Sequence, residues 1–109
     1  MKTVGEVCQA ANVTRKTLYY YDRIGLLKPT ERSGGQNYKL YDDDAVDKLK
    51  RIREMRRAGL KIAEIKTVLN DPGSLPDVVS DAISRLTQEK TAVEQQISCA
   101  EKLLSDHFG

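Results

Sequence analysis

The stretch Thr14-Arg15-Lys16-Thr17-Leu18-Tyr19-Tyr20-Tyr21-Asp22-Arg23-Ile24-Gly25-Leu26-Leu27-Lys28-Pro29 is the most informative part of this 109-residue chain. Thr14 stands where an N-cap side chain accepts from the free N–H groups of a helix. A helix then runs to Ile24, Gly25 occupies the place of a left-handed terminating residue, and Pro29 confirms the stop. Arg15, Lys16, Tyr19, Tyr20 and Arg23 cover the N-terminal end and one side, which leaves Leu18, Tyr21 and Ile24 for the inside. Such a helix carries the donors that reach guanine edges and phosphates in a DNA major groove. A solvated amphipathic helix has the same pattern.

Upstream, Thr3 and Glu6 have capping-box spacing, and Val4, Val7, Cys8 and Ala11 share one helical face. Ala11-Asn12-Val13 breaks that helix, so two short helices joined by about three residues form a helix-turn-helix. Downstream, Thr30 to Asn37 is polar and glycine-rich, and Tyr38-Lys39-Leu40-Tyr41 alternates like a strand. This predicts a hairpin wing whose short first strand runs from around Leu27-Lys28 to Thr30-Arg32. Gly34-Gly35 suits a flexible basic tip, with Tyr38 and Lys39 beside it to meet phosphate or a minor groove. Tyr41 either joins them or packs on the next helix.

Asp42-Asp43-Asp44 opens a third helix, with acidic groups favourable in its first turn. Val46, Leu49, Ile52 and the flanks of Arg53 and Met55 form its apolar stripe, and Gly59 stops it. Ile62, Ile65, Val68 and Leu69 mark a fourth helix ending near Asn70 to Gly73. From Ser74 to about Asp106 no Gly or Pro interrupts a helical pattern after Pro76, which predicts a helix ~45 Å long. Ile83, Lys90, Ile97 and Leu104 fall at heptad position a, and Val79, Leu86, Val93 and Ala100 at d. So narrow a stripe on so long a helix calls for a second copy of itself. The expected organisation is a DNA-binding domain over 1–73 and a dimerisation helix over 74–109.

The charge distribution agrees. Residues 1–60 hold 13 Lys/Arg against 8 Asp/Glu, while residues 61–109 hold 5 against 8. A basic first half and an acidic second half place a polyanion at one end only. Tryptophan is absent and phenylalanine occurs once, so the core rests on Val, Ile, Leu and Ala. No apolar run approaches the ~20 residues of a membrane span. The opening Met-Lys-Thr-Val-Gly-Glu lacks the apolar core of a signal peptide, so a cytoplasmic protein is expected.

Thr17 to Pro29, with Tyr38-Lys39-Leu40-Tyr41 and Ala58-Gly59-Leu60…Glu64-Ile65 behind it, closely resembles the MerR family of bacterial transcriptional regulators. The resemblance spans residues 1–70 in order, and the long helix extends it in architecture. It implies a mainly α fold: a winged helix-turn-helix domain followed by a long C-terminal helix forming an antiparallel coiled-coil homodimer. It further implies binding to a pseudo-palindromic promoter element in double-stranded DNA and distortion of that DNA, with RNA polymerase met through the promoter. Carried over by position, Arg15, Lys16, Thr17, Tyr19 and Tyr20 face bases or phosphates, Tyr21 a phosphate, Lys39 the wing, and Lys61 a second, smaller wing; Thr14, Arg23 and Tyr38 join this DNA-binding set through their own places on the second helix and the wing. Tyr19 stands where the family often has Arg, and Lys39 where Arg is usual, which keeps charge but loses the planar fork. Lys61 replaces a common Ser or Thr cap, leaving the fourth helix less well capped.

Drug-sensing members of that family carry a further C-terminal domain, and metal sensors paired cysteines. This sequence either represents a minimal form or the N-terminal part of a longer protein. Cys8 lies on the apolar face of the first helix and Cys99 at solvent-facing position c. With His107 as the lone histidine they fill no four-coordinate site, so neither metal nor cofactor is expected. A coiled-coil adaptor with only non-specific DNA affinity is the competing reading, though it needs neither Arg15, Lys16 nor a wing. An enzyme is not expected: there is no nucleophile–base constellation and no phosphate-cradling glycine loop.

Overall fold

A computed structural model describes residues 1–33 and 38–108. Residues 34–37, which include the Gly34-Gly35 expected at the wing tip, lie outside the described residues. The chain divides into two compact units, Met1–Lys66 and Thr67–Gly109.

The first unit contains β1 (Lys2–Thr3), α1 (Val4–Ala11), α2 (Arg15–Arg23), β2 (Glu31–Ser33), β3 (Tyr38–Tyr41) and α3 (Asp43–Arg57), and α4 (Ile62–Asn70) begins in it. The capping box is present: the Glu6 N–H donates to Thr3 Oγ1 at 3.3 Å, and the Thr3 N–H donates to Glu6 Oε1 at 3.0 Å. That second bond holds the Glu6 carboxyl below the usual carboxylate range. Asn12 adopts a left-handed φ of 54° and ends α1. Gly25, at φ 76°, turns the chain after α2 where a Cβ would be strained.

Two expectations need correction here. The first wing strand begins at Glu31, because Leu26 and Leu27 belong to the turn that closes α2. Their N–H groups both donate to the Tyr21 carbonyl, and both side chains are buried. The hairpin also has a third strand: β1 pairs antiparallel with β3, Lys2 opposite Tyr41, giving the order β1-β3-β2.

Asp42 is the N-cap of α3 rather than part of it, its carboxylate accepting from the Ala45 N–H at 2.8 Å. Ala45, Val46, Leu49 and Ile52 face inward, and α3 packs against α1 and β3. With Val7, Leu18, Tyr41, Leu60 and Ile65 they close a core in which every one of these side chains is buried. At the start of α4 the Lys61 N–H donates to Glu64 Oε1 at 2.8 Å, the carboxylate half of a capping box; the hydroxyl half, which a Ser or Thr would aim at the Glu64 N–H, is one that a lysine side chain cannot supply.

In the second unit, Pro72–Ser74 forms a 3-10 turn, closed by the Ser74 N–H and hydroxyl, both donating to the Asp71 carbonyl. The long helix α5 (Leu75–Phe108) therefore starts one residue after Ser74. Its 34 residues span about 51 Å at 1.5 Å per residue. Ala82 is buried and Val78 and Val79 half-buried, whereas Ile83, Leu86, Val93, Ile97 and Leu104 are exposed. Lys90 and Ala100 are exposed as well. Among the described residues, no helix is long and apolar enough to cross a membrane.

Candidate nucleic-acid interface

Thr14 caps α2 as its sequence position requires, accepting from the Thr17 N–H at 3.1 Å. Its hydroxyl also donates to Thr17 Oγ1 at 2.9 Å, so both threonines are partly committed to holding the helix start. Beyond that cap Arg15, Lys16, Tyr19, Tyr20 and Arg23 are exposed together on the outer side of α2. The Arg23 guanidinium lies 5.4 Å from the Tyr20 ring centroid, a cation–π contact that limits the motion of both. Tyr21, which the resemblance assigned to a phosphate, has its ring in the core, 6% exposed, beside Leu18 on the inner face.

The wing is tied to this helix by a carboxylate outside the set of expected site residues. Asp22 sits on the buried face of α2 and is 5% exposed. Its Oδ1 accepts from Arg32 Nη2 at 2.8 Å on β2, and its Oδ2 pairs with Lys39 Nζ at 2.9 Å on β3. Desolvation pushes the Asp22 carboxyl up, but the hydrogen bonds and charges of Lys39 and Arg32 outweigh it and hold the group below its ordinary value. Lys39 is further enclosed by the Tyr19 ring, 4.5 Å from its ammonium. An acid four positions after Leu18, on the face that must be buried, was the signal available in the sequence.

Tyr41 settles on the packed side of its alternatives. Its ring is fully buried, and burial first, then the nearby Asp22 charge, pushes its hydroxyl up to about 12. Among the described residues that hydroxyl has no hydrogen-bond partner. Tyr38 remains exposed.

Two clefts border α2. One, of about 360 Å³, is lined by Thr3, Val4, Gly5, Arg15, Tyr19, Tyr38 and Lys39. The other, of about 370 Å³, joins Thr14, Thr17 and Tyr21 to Arg53, Arg56 and Arg57 at the end of α3. Those arginines widen the basic surface beyond the start of α2. Arg56 also donates to the Leu60 carbonyl at 2.9 Å, bracing the turn that presents the exposed Lys61. Among the described residues no three His, Cys, Asp or Glu side chains gather into a metal site. Cys8 is half-buried, its thiol pushed up by burial, and Cys99 is exposed.

Comparison with known proteins agrees with this geometry. Residues 2–71 match the profile of the MerR HTH family regulatory proteins, and residues 46–106 that described as MerR, DNA binding. The chain belongs to the MerR family. This is a family of transcriptional regulators, not of enzymes. The HTH-type transcriptional activator TipA of Streptomyces coelicolor is 37% identical over 101 residues, covering 85% of this chain. The chain spans only 40% of TipA's length. The HTH-type transcriptional regulator CueR of Bacillus subtilis is 30% identical over 95 residues, 87% of this chain and 65% of that protein. Among solved structures, the N-terminal part of MtaN, a multidrug transporter activator of Bacillus subtilis, superposes with a TM-score of 0.83 at 26% identity. That match covers 95% of this chain and 98% of MtaN's. EcmrR in complex with DNA superposes with a TM-score of 0.79 at 26% identity, over 97% of this chain and 40% of that one. The winged helix-turn-helix and the long C-terminal helix of this MerR-family chain are therefore those of its relatives.

Proposed function

We propose that this MerR-family chain binds double-stranded promoter DNA with sequence preference and regulates transcription there. The observation that carries this reading is the outer side of α2, where Arg15, Lys16, Tyr19, Tyr20 and Arg23 are exposed together beside a wing bearing Tyr38. In this reading Thr14 and Thr17 reach phosphates from the helix start while keeping their cap, and Lys61 meets the backbone from the α3–α4 turn. Residues 1–73 act as the DNA-binding part and residues 74–109 as the dimerisation part. Two copies pair through Val79, Ile83, Leu86, Lys90, Val93, Ile97, Ala100 and Leu104 in an antiparallel coiled coil, which supports recognition of a pseudo-palindrome. Contacts from both halves offset a few kcal/mol of DNA distortion, and RNA polymerase then engages the reshaped promoter.

The test is fluorescence anisotropy at ~0.15 M salt with DNA from upstream of the protein's own gene and a scrambled duplex. The expected preference is ~10³-fold or more. Tyr20→Ala and Arg15→Ala should each weaken the native fragment more than the scrambled one. Equal, weak binding to both, followed by failure to select any site from a random duplex library, would return the coiled-coil adaptor reading.

A further inference from the structure

Arg32 and Lys39 stand directly opposite each other in the β2–β3 register. Like charges in that position repel and destabilise a hairpin unless something lies between them. Here the Asp22 carboxylate lies between them, one oxygen for each cation, at 2.8 and 2.9 Å. The two cations are not used alike. The Lys39 side chain is 16% exposed and capped by Tyr19, while the Arg32 side chain is 49% exposed. A guanidinium has five donors and the bond to Asp22 takes one, so Arg32 keeps donors for the solvent side. One buried carboxylate thus joins both wing strands and, through Lys39, the Tyr19 ring on the outer side of α2.

We propose that Asp22 is the positioning residue that sets the DNA selectivity of this surface: it holds Lys39 inward, turns Arg32 outward and fixes the spacing between α2 and the wing. This inference rests on the DNA-binding reading above and extends it. Lys39 then serves geometry rather than direct grip, and Arg32 is the wing's phosphate-reaching cation. A fixed spacing matches one groove geometry and makes others costly, which is how preorganisation becomes specificity. The Asp22 charge also lowers the electrostatic attraction to any DNA, so its removal should strengthen binding that ignores sequence.

The experiment compares the full chain with Asp22→Asn and Asp22→Glu, on a duplex enriched by the wild type from a random library and on a scrambled duplex. Binding is measured between 50 and 200 mM salt, with circular dichroism melts alongside. For Asp22→Asn the expected result is tighter binding to the scrambled duplex and a salt slope steeper by about 0.9, the contribution of one additional cation. The enriched-to-scrambled ratio should fall on the order of tenfold. Asp22→Glu keeps the charge and should keep most of that ratio. Asp22→Asn with Lys39→Met removes both charges and the repulsion between the wing cations, so it supports the test even if the single variant unfolds. In it the salt slope should return to the wild-type value while the ratio stays low. A uniform loss on both duplexes with an unchanged slope, or a double variant as selective as the wild type, overturns the inference while leaving the regulator reading intact. A wild type that enriches no sequence overturns both.

Discussion

Helix α2 exposes Arg15, Lys16, Tyr19, Tyr20 and Arg23, whereas α5 exposes Ile83, Leu86, Val93, Ile97 and Leu104. The side of α2 left in water is polar and charged, and its apolar residues Leu18 and Tyr21 are already buried within Met1–Lys66. That unit closes its own core. The exposed side of α5 carries these large apolar residues at steps of three, seven, four and seven, with Lys90 and Ala100 at the two intervening positions, and leaving such residues in water forgoes about 1.5–3 kcal/mol each. In the proposed assembly one surface meets a polyanion and the other an apolar partner. Exposure alone does not separate a binding surface from an unfinished core, but its chemistry does.

The largest test of that contrast is Ile97→Asp. A carboxylate within the proposed seam would have to be buried unpaired on association, at a cost of several kcal/mol. Self-association should weaken by at least ~100-fold, which corresponds to about 2.7 kcal/mol. Sedimentation equilibrium measures it, and a wild type that is itself monomeric at micromolar concentration would break the contrast. Lys90→Leu probes the same stripe from the other side. A lysine at a central a position weakens a seam while fixing its register. The expected outcome is a higher melting temperature, by about 4–8 °C for each kcal/mol gained, together with looser control of the oligomeric state. An unchanged melting temperature would place Lys90 off the seam.

Tyr41→Phe sharpens the other half of the comparison, since it alters the closed core beside Asp22 and no exposed side chain. The Tyr41 ring is fully buried while its hydroxyl has no partner among the described residues. Leaving such a group unsatisfied costs about 1–3 kcal/mol, so its removal should stabilise the protein by about 1 kcal/mol. Chemical denaturation with an unchanged m-value checks this. DNA selectivity should change little, because the hydroxyl is buried and among the described residues bonds to none of the groups of the proposed DNA surface.

Much of this fold could be read from local chemistry. Thr3 with Glu6, Thr14, Asp42, Gly25 and Gly59 each mark a helix end by a rule that operates within a few residues, and each does so in the structure. What escaped was non-local or too short for periodicity. Strand β1 has two residues, and only its pairing with Tyr41 and Leu40 makes it a strand. Asp22 acquires its meaning from Arg32 and Lys39, which the hairpin brings to it. The inward turn of the Tyr21 ring is visible in its spacing from Leu18. Lys61 lacks the hydroxyl of a usual cap, and the carboxylate of Glu64 three residues later supplies the other half of a capping box by accepting from the Lys61 N–H.

The smallest effect expected belongs to Gly5, where stability and binding should separate. Gly5 lies in the first turn of α1, and a glycine there is less favourable than alanine by roughly 0.5–1 kcal/mol. A Cβ added to it would come within 3.0 Å of Arg15 Nη2. That atom ends a flexible side chain, so the guanidinium moves aside rather than straining the backbone. Gly5→Ala should therefore raise the melting temperature slightly while displacing an arginine on the proposed DNA surface. The expected loss is a few-fold in affinity for the selected duplex, read by anisotropy, with little change on the scrambled one. Were affinity to rise along with stability, Arg15 would be a solvated side chain, and the exposed face of α2 would owe its selectivity to the tyrosines.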